Sequence, residues 1–145
     1  MRKSIFFVIA LCAMLSASVY NAAAQNQESR EMKVGTPMPE FVLNSDVHGE
    51  LSSADLKGEV VLMTFFATWC GPCQRLSPII AQVADDYEGK ALVGKCNAEN
   101  NEALTEYFGI RNIPTILFIK DGEVVDKLSG AVNKLKITDT IDKYL

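Results

Sequence analysis

The residues best suited to chemistry in this chain are two cysteines held two residues apart, Cys70 and Cys73, with Gly71-Pro72 between them. Thiols at this spacing have three uses: a small reversible disulfide ring, half of a zinc shell, or plain structural cross-linking. The run before them, Val60-Val61-Leu62-Met63-Thr64-Phe65-Phe66, is nearly all apolar, the pattern of a strand covered on both faces. After them Leu76, Ile79, Ile80, Val83 and Tyr87 recur at three- and four-residue steps, the apolar face of an amphipathic helix. The cysteines therefore fall where a strand gives way to a helix, with Cys70 at or just before the helix N-terminus. Unpaired backbone N–H groups and the helix dipole favour negative charge there, so a thiol at that point loses its proton more readily. Pro72 suits a first helical turn, where its missing N–H is not needed. Zinc is poorly served, because two thiols without nearby histidines leave its shell half filled. The position favours a redox dithiol.

The elements that hold this turn must come from the rest of the 145 residues, a length for one domain less any processed segment. Met1-Arg2-Lys3 is a short basic start, Ile5 to Leu15 an apolar core of secretory length, and Ala22-Ala23-Ala24 a small-residue run suited to cleavage before Gln25. Residues 1–24 read as a cleaved signal peptide, and the protein as exported to a bacterial periplasm. The apolar run is too short for a transmembrane helix, so no stable membrane insertion is expected after cleavage. Cys12 follows Leu11, where a lipoprotein signal wants a small residue. Cleavage removes Arg2 and Lys3 and no acids, so 14 basic against 18 acidic side chains become 12 against 18, a net charge near −6. Such a surface offers nothing to nucleic acid or anionic lipid. Exported proteins ordinarily use disulfides structurally; Cys70 and Cys73 are too tightly spaced for that to be their main use.

Residues 25–36 read as a flexible leader and residues 37–145 as the folded domain. Gly35-Thr36-Pro37-Met38-Pro39 cannot continue a helix or a central strand, so the chain leads in extended. A short strand is predicted at Phe41-Val42-Leu43, a turn over Asp46 to Gly49, and one helical turn capped by Ser52 or Ser53 and ended by Gly58. His48, the single histidine, lies in that turn and reads as solvated rather than as a catalytic base. Pro78 is expected to kink the helix after the cysteines, and Gly89 to close it. Ala91 to Val93, extending toward Cys96, gives the second strand of a β-α-β unit. Asn100 or Asn101 is placed to cap a further helix with Leu104, Tyr107 and Phe108 inward and Gly109 as its stop. Thr115 to Lys120 and Glu123 to Leu128 pair around Asp121-Gly122, and Asn133 starts a last helix carrying Ile137, Ile141 and Tyr144 against the sheet. The fold class is α/β, a mixed sheet flanked by helices, without repeats, low-complexity tracts or a nucleotide loop.

Trp69-Cys70-Gly71-Pro72-Cys73, directly after a buried strand, resembles the motif of the thioredoxin family, and Ile113-Pro114-Thr115 resembles its second motif. The resemblance runs from about Val60 to the end of the chain. It implies a three-layer α/β/α fold around a mixed sheet of four to five strands, and thiol-disulfide oxidoreductase activity needing no cofactor and no metal. It implies that Cys70 is the nucleophile and Cys73, deeper and one turn on, the resolving thiol. Trp69, Gly71, Pro72, Ile113, Pro114 and Gly130 would line an apolar substrate groove, with a cis bond before Pro114 and the Ile113 backbone free to pair with a substrate strand. From the residues alone, Pro114 marks a strand start and Gly130 a strand end. The implied partners are disulfide-bearing proteins and an upstream electron donor, either a membrane electron relay or a local reductase. Gly-Pro between the cysteines resembles the reducing members. The lead-in is similar to exported thioredoxin-like reductases of cytochrome c maturation, which adds a second reading: a dedicated reductase for apocytochrome c or one client. A binding or chaperone module with incidental redox activity is a third.

The chain departs from the family at Thr64, where thioredoxins commonly carry a buried aspartate six residues before the first cysteine. Lys95 matches the lysine that accompanies that aspartate. Taken alone, Thr64 is a β-branched strand residue with a satisfied hydroxyl. Without a carboxylate nearby, the Cys70 thiolate should meet less repulsion, which lowers its pKa and makes the protein somewhat more oxidising. Cys73 would then rely on water or Lys95 when it releases substrate. Cys96 has no partner in either motif and reads as a buried, inert thiol, and Glu99 and Glu102 read as solvated charges.

Overall fold

The computed structural model describes residues 33–45 and 49–145, all within the compact unit Glu31–Leu145. The expected signal peptide, most of the expected leader and His48 lie outside the described residues. From Gly35 the extended lead-in is bonded to the far end of the chain. Gly35 N–H donates to Val124 O at 2.7 Å, Val124 N–H to Thr36 O at 2.9 Å and Met38 N–H to Gly122 O at 2.7 Å. A hairpin follows, β1 (Val42–Ser45) antiparallel to β2 (Gly49–Ser52), forming a two-stranded sheet of its own. Ser52 caps the 3₁₀ turn Ser53–Leu56: its Oγ accepts from Ala54 N–H, and the Asp55 carboxylate accepts from Ser52 N–H.

The main sheet is built from β3 (Val60–Phe66), β4 (Leu92–Asn97), β5 (Thr115–Lys120) and β6 (Glu123–Ser129), and the helices are α1 (Gly71–Asp86), α2 (Glu102–Tyr107) and α3 (Lys134–Asp142). The spatial order is β4-β3-β5-β6; β4 runs parallel to β3, and the other two pairings are antiparallel. The mixed sheet expected from sequence thus has four strands. Asp121 and Gly122 turn the last hairpin with φ of 52° and 79°, the left-handed pair that a two-residue loop requires.

Period-two alternation divides β3 between two cores. Val61, Met63 and Phe65 join Leu104, Phe108 and Leu117 on the α2 side, whereas Val60 and Leu62 join Leu76, Val83 and Ile137 on the side covered by α1 and α3. This gives three layers. Phe65 and Phe108 meet edge to face at 6.0 Å, a geometry worth about 0.5–1.5 kcal/mol beyond the area it buries. Tyr87 OH donates to Asp142 at 2.7 Å and Lys134 pairs with Asp86 at 2.6 Å, fastening the end of α1 to α3. Burial, followed by the Asp142 hydrogen bond, pushes the Tyr87 phenol up to about 12. Among the described residues no helix is long and apolar enough to cross a membrane.

Three local expectations need revision. The helix α1, with Pro78 inside it, ends at Asp86 with Tyr87 as its C-cap, short of Gly89, which takes a left-handed φ of 76° in the turn that follows. Asn101 occupies the N-cap of α2 but makes no side-chain cap, since its amide reaches back to donate to Asn97 O at 2.9 Å. Tyr107 is half-buried rather than fully inward, and its hydroxyl donates to Pro37 O.

Cys96 is 3 % exposed, and burial raises its thiol from 9.0 to about 11. Above pH 9 the unfolded chain loses this proton while the fold keeps it, so the Cys96 contribution is intact below pH 9 and lost as pH rises toward 11. The Cys96→Ala variant should therefore lose less stability across that window in anaerobic urea unfolding; equal losses in both proteins would clear Cys96 of this role.

A candidate redox-active dithiol site

The site begins where β3 ends. Beyond Phe66 the chain turns through Ala67-Thr68-Trp69, held by Cys70 N–H donating to Ala67 O at 3.2 Å and by the Gln74 side-chain amide donating to Thr68 O at 2.8 Å. Cys70 is the N-cap of α1, in extended conformation, and its Sγ accepts from Cys73 N–H at 3.2 Å. This is the bond that a side-chain oxygen makes in an ordinary cap; here sulfur takes it. The first-turn amide and the helix dipole converge on this sulfur, an arrangement that favours negative charge on it. Cys70 and Cys73 are joined by a disulfide with Cα atoms 5.2 Å apart. Each cysteine is 5 % exposed, so Cys73 is not the deeper of the two as expected; they differ in position, Cys70 at the N-cap and Cys73 in the first turn.

The second wall comes from the loop before β5. The Ile113–Pro114 bond is cis, and Ile113 O lies 3.9 Å from Cys70 Sγ. Among the described residues, neither the amide nor the carbonyl of Ile113 enters a backbone pair. Gly130 N–H donates to Pro114 O at 2.8 Å, bringing the end of β6 to the same place. Trp69 and Pro72 are exposed, and Gly71, Ile113 and Gly130 are half-buried. Pro114 is buried, so it shapes the groove from beneath instead of lining its rim.

Sequence reasoning missed Glu99. Taken as a solvated charge, it accepts the Trp69 indole N–H at 2.9 Å and so fixes the most prominent side chain of the rim, itself 70 % exposed. No spacing rule links residues thirty positions apart; only the parallel placement of β3 and β4 brings them together. Glu102 is exposed, as expected.

Thr64 is 3 % exposed, and its hydroxyl has no hydrogen-bond partner among the described residues, contrary to the expected satisfied hydroxyl. Such an atom ordinarily costs about 1–3 kcal/mol. Lys95 is its register partner on β4. The Lys95 ammonium donates to Ser77 Oγ at 3.1 Å and sits 5.6 Å from the centre of the Phe66 ring. Thr64, Cys73, Ser77 and Lys95 all line one cavity of about 210 Å³. Among the described residues no three His, Cys, Asp or Glu side chains gather as metal ligands would.

The family model for Thioredoxin matches residues 49–143. The chain belongs to the thioredoxin family. It is 49 % identical over 87 residues to a thioredoxin of Chlorobaculum thiosulfatiphilum, covering 60 % of this chain and 81 % of that one. Thioredoxin 2 of Chlorobaculum tepidum is 46 % identical over 87 residues, with 60 % and 80 % covered. Among solved structures, Fasciola hepatica thioredoxin superposes with a TM-score of 0.60 at 34 % identity, covering 63 % of this chain and 86 % of that one. Thioredoxins are disulfide oxidoreductases that act on disulfide-bearing substrates and are reduced by an upstream donor, and with Cys70 and Cys73 joined in its site this thioredoxin is such an oxidoreductase.

Replacing Thr64 by Asp places a carboxylate beside the dithiol and should raise the pKa of Cys70, because like charge disfavours the thiolate. The pH dependence of alkylation of the reduced protein measures it. An unchanged or lowered midpoint removes the electrostatic account of Thr64.

Proposed function

We propose that this thioredoxin is an exported, general reductase of protein disulfides, with Cys70 as nucleophile and Cys73 as resolving thiol. The observation that carries the reading is the Cys70 sulfur, held at a helix N-cap by Cys73 N–H and facing the unpaired backbone of Ile113. An extended substrate segment can pair with that backbone while its disulfide meets Cys70, which recognises main chain more than sequence and so suits many clients. The Cys70 thiolate attacks one substrate sulfur, forming a mixed disulfide and expelling the other sulfur as thiolate. Cys73 then attacks Cys70 Sγ; the intramolecular disulfide forms, the mixed disulfide breaks, and the substrate leaves with two thiols. Gly71-Pro72 between the cysteines supports the reducing direction by its likeness to the reducing members of the family.

Export is supported by the basic start, apolar core and Ala22-Ala23-Ala24 of the first 24 residues. An exported thioredoxin is out of reach of cytosolic donors, so a membrane electron relay or a local reductase would return it to the dithiol. A dedicated reductase for apocytochrome c or one other client is the second reading. The resemblance of the lead-in sequence to such exported reductases supports it, and the thioredoxin-like spacing from Cys73 to Pro114 speaks against it.

Cys73→Ser should trap mixed disulfides at Cys70. Many trapped partners mark the general reductase, one marks the dedicated reductase, and none marks a binding module with incidental redox activity. Sequencing the secreted form should find Gln25 at its N-terminus; a chain retaining residues 1–24 would contradict cleavage there.

A further inference from the structure

Beside the cysteines stands a charge that the exchange reaction does not use. Arg75 is the only basic residue of α1, whose two acids, Asp85 and Asp86, lie at its far end. It is exposed, and among the described residues it makes no ion pair and no hydrogen bond. A cation in the early turns of a helix works against the dipole, which favours it at the other end. No contact among the described residues accounts for arginine here.

The helix fixes the direction of this side chain. Helical side chains lean toward the N-terminus, and positions three and four apart share a face. Arg75 therefore points back over Gly71 and Pro72, the two residues between the cysteines. A methyl group built on Gly71 would stand 3.8 Å from Arg75 Nη1 and meet no other side chain closer. Gly71 has no left-handed φ either, so neither conformation nor packing demands glycine there. What the missing side chain leaves open is space for a substrate chain to reach the guanidinium. The neighbouring Gln74 is tied to Thr68 O, and Glu99 to the Trp69 indole. A second exposed arginine, Arg111, precedes Ile113 by two residues, so each wall of the groove carries one, in a chain of net charge −4.

We propose that Arg75 is a specificity-determining residue: its guanidinium pairs with a substrate carboxylate beside the disulfide, so the site prefers disulfides flanked by Asp or Glu. The proposal rests on the reductase reading and concerns the encounter that precedes attack by Cys70. Main-chain pairing at Ile113 admits many clients, and Arg75 ranks them by charge. The pair is exposed, so its effect is a modest factor of about two to five in rate, and salt weakens it.

The test uses symmetric disulfides of a blocked peptide whose single cysteine is flanked by Glu, Gln or Lys. Each is mixed with the reduced full-length protein, and the released peptide thiol is measured by chromatography after acid quenching. Comparing the same peptides across protein variants cancels their intrinsic reactivity. The ratio of Glu-peptide to Lys-peptide rate constants should fall about fivefold from wild type to Arg75→Gln at low salt. Arg75→Lys, which keeps the charge, should hold the ratio near wild type, and Arg75→Glu should lower it further. At about 0.5 M salt the wild-type ratio should approach that of Arg75→Gln. Equal ratios in wild type and Arg75→Gln would overturn the proposal. An equal loss of rate with all three peptides would overturn it too, because it marks an effect on the Cys70 thiolate instead of on substrate choice. A wild-type protein that reduces none of the peptides defeats the reductase reading itself, a result distinct from both.

Discussion

Everything in the site depends on one cap. The first amides of any helix have no partners within it, and α1 offers one of them, Cys73 N–H, to the sulfur of Cys70. That bond requires Cys70 to be the last extended residue before the helix, so the end of β3 and the start of α1 must be fixed together. The fixing comes from packing. The strand β3 is wedged between β4 and β5, and α1 is seated on it by Leu76, Ile80 and Val83. A slip of one residue in β3 would send every side chain to the opposite core, taking Thr64 away from α1 and pulling the cap out of position. Register and reactivity are therefore a single constraint.

The same constraint explains why distant segments meet at this point. The strands β3 and β4 are parallel, so both end on the same side of the sheet: β3 delivers Cys70, and β4 delivers Glu99 to hold Trp69. The strand β5 is antiparallel to β3 and starts on that side, so Pro114, just before it, faces the cysteines. Gly130 closes the arrangement because β6 returns antiparallel to β5 and ends there. Carboxyl ends of parallel strands are where open α/β sheets present crevices, and the antiparallel hairpin adds a second wall.

What the sequence discloses follows from what its periodicities measure. Alternation in Val60–Phe66 and the three-to-four spacing from Leu76 to Tyr87 are intramolecular rulers along one element, and they place Cys70 at the junction. The same alternation assigns Thr64 to the face of Leu62. Contacts across the sheet leave no such ruler. Glu99 and Trp69 become neighbours only when β4 is laid beside β3, and Asn101 chooses Asn97 O over its own helix because the β4-to-α2 loop brings that carbonyl within reach. The hydrogen bond from Tyr87 to Asp142 likewise joins two helices that no single periodicity relates. The lining of the cavity belongs to the same class: three elements contribute to it, and none of them announces it alone.

Two buried sulfurs show that burial alone does not decide reactivity here. Cys96 and Cys73 are 3 % and 5 % exposed. Cys96 sits in the α2-side core among apolar residues such as Phe108 and Leu117, where desolvation is the force on its thiol and raises it to about 11. Cys73 lies on the other face, in the first turn of α1, beside a cavity that reaches Lys95. Its neighbour Thr64 has the shape of valine, and a hydrocarbon core gains nothing from its hydroxyl; a buried hydroxyl without a partner weakens the fold. Packing therefore supplies no reason for threonine at this position. The two sulfurs differ in their surroundings: Cys96 is enclosed by apolar side chains of the core, and Cys73 stands in the first turn of α1, bonded to Cys70.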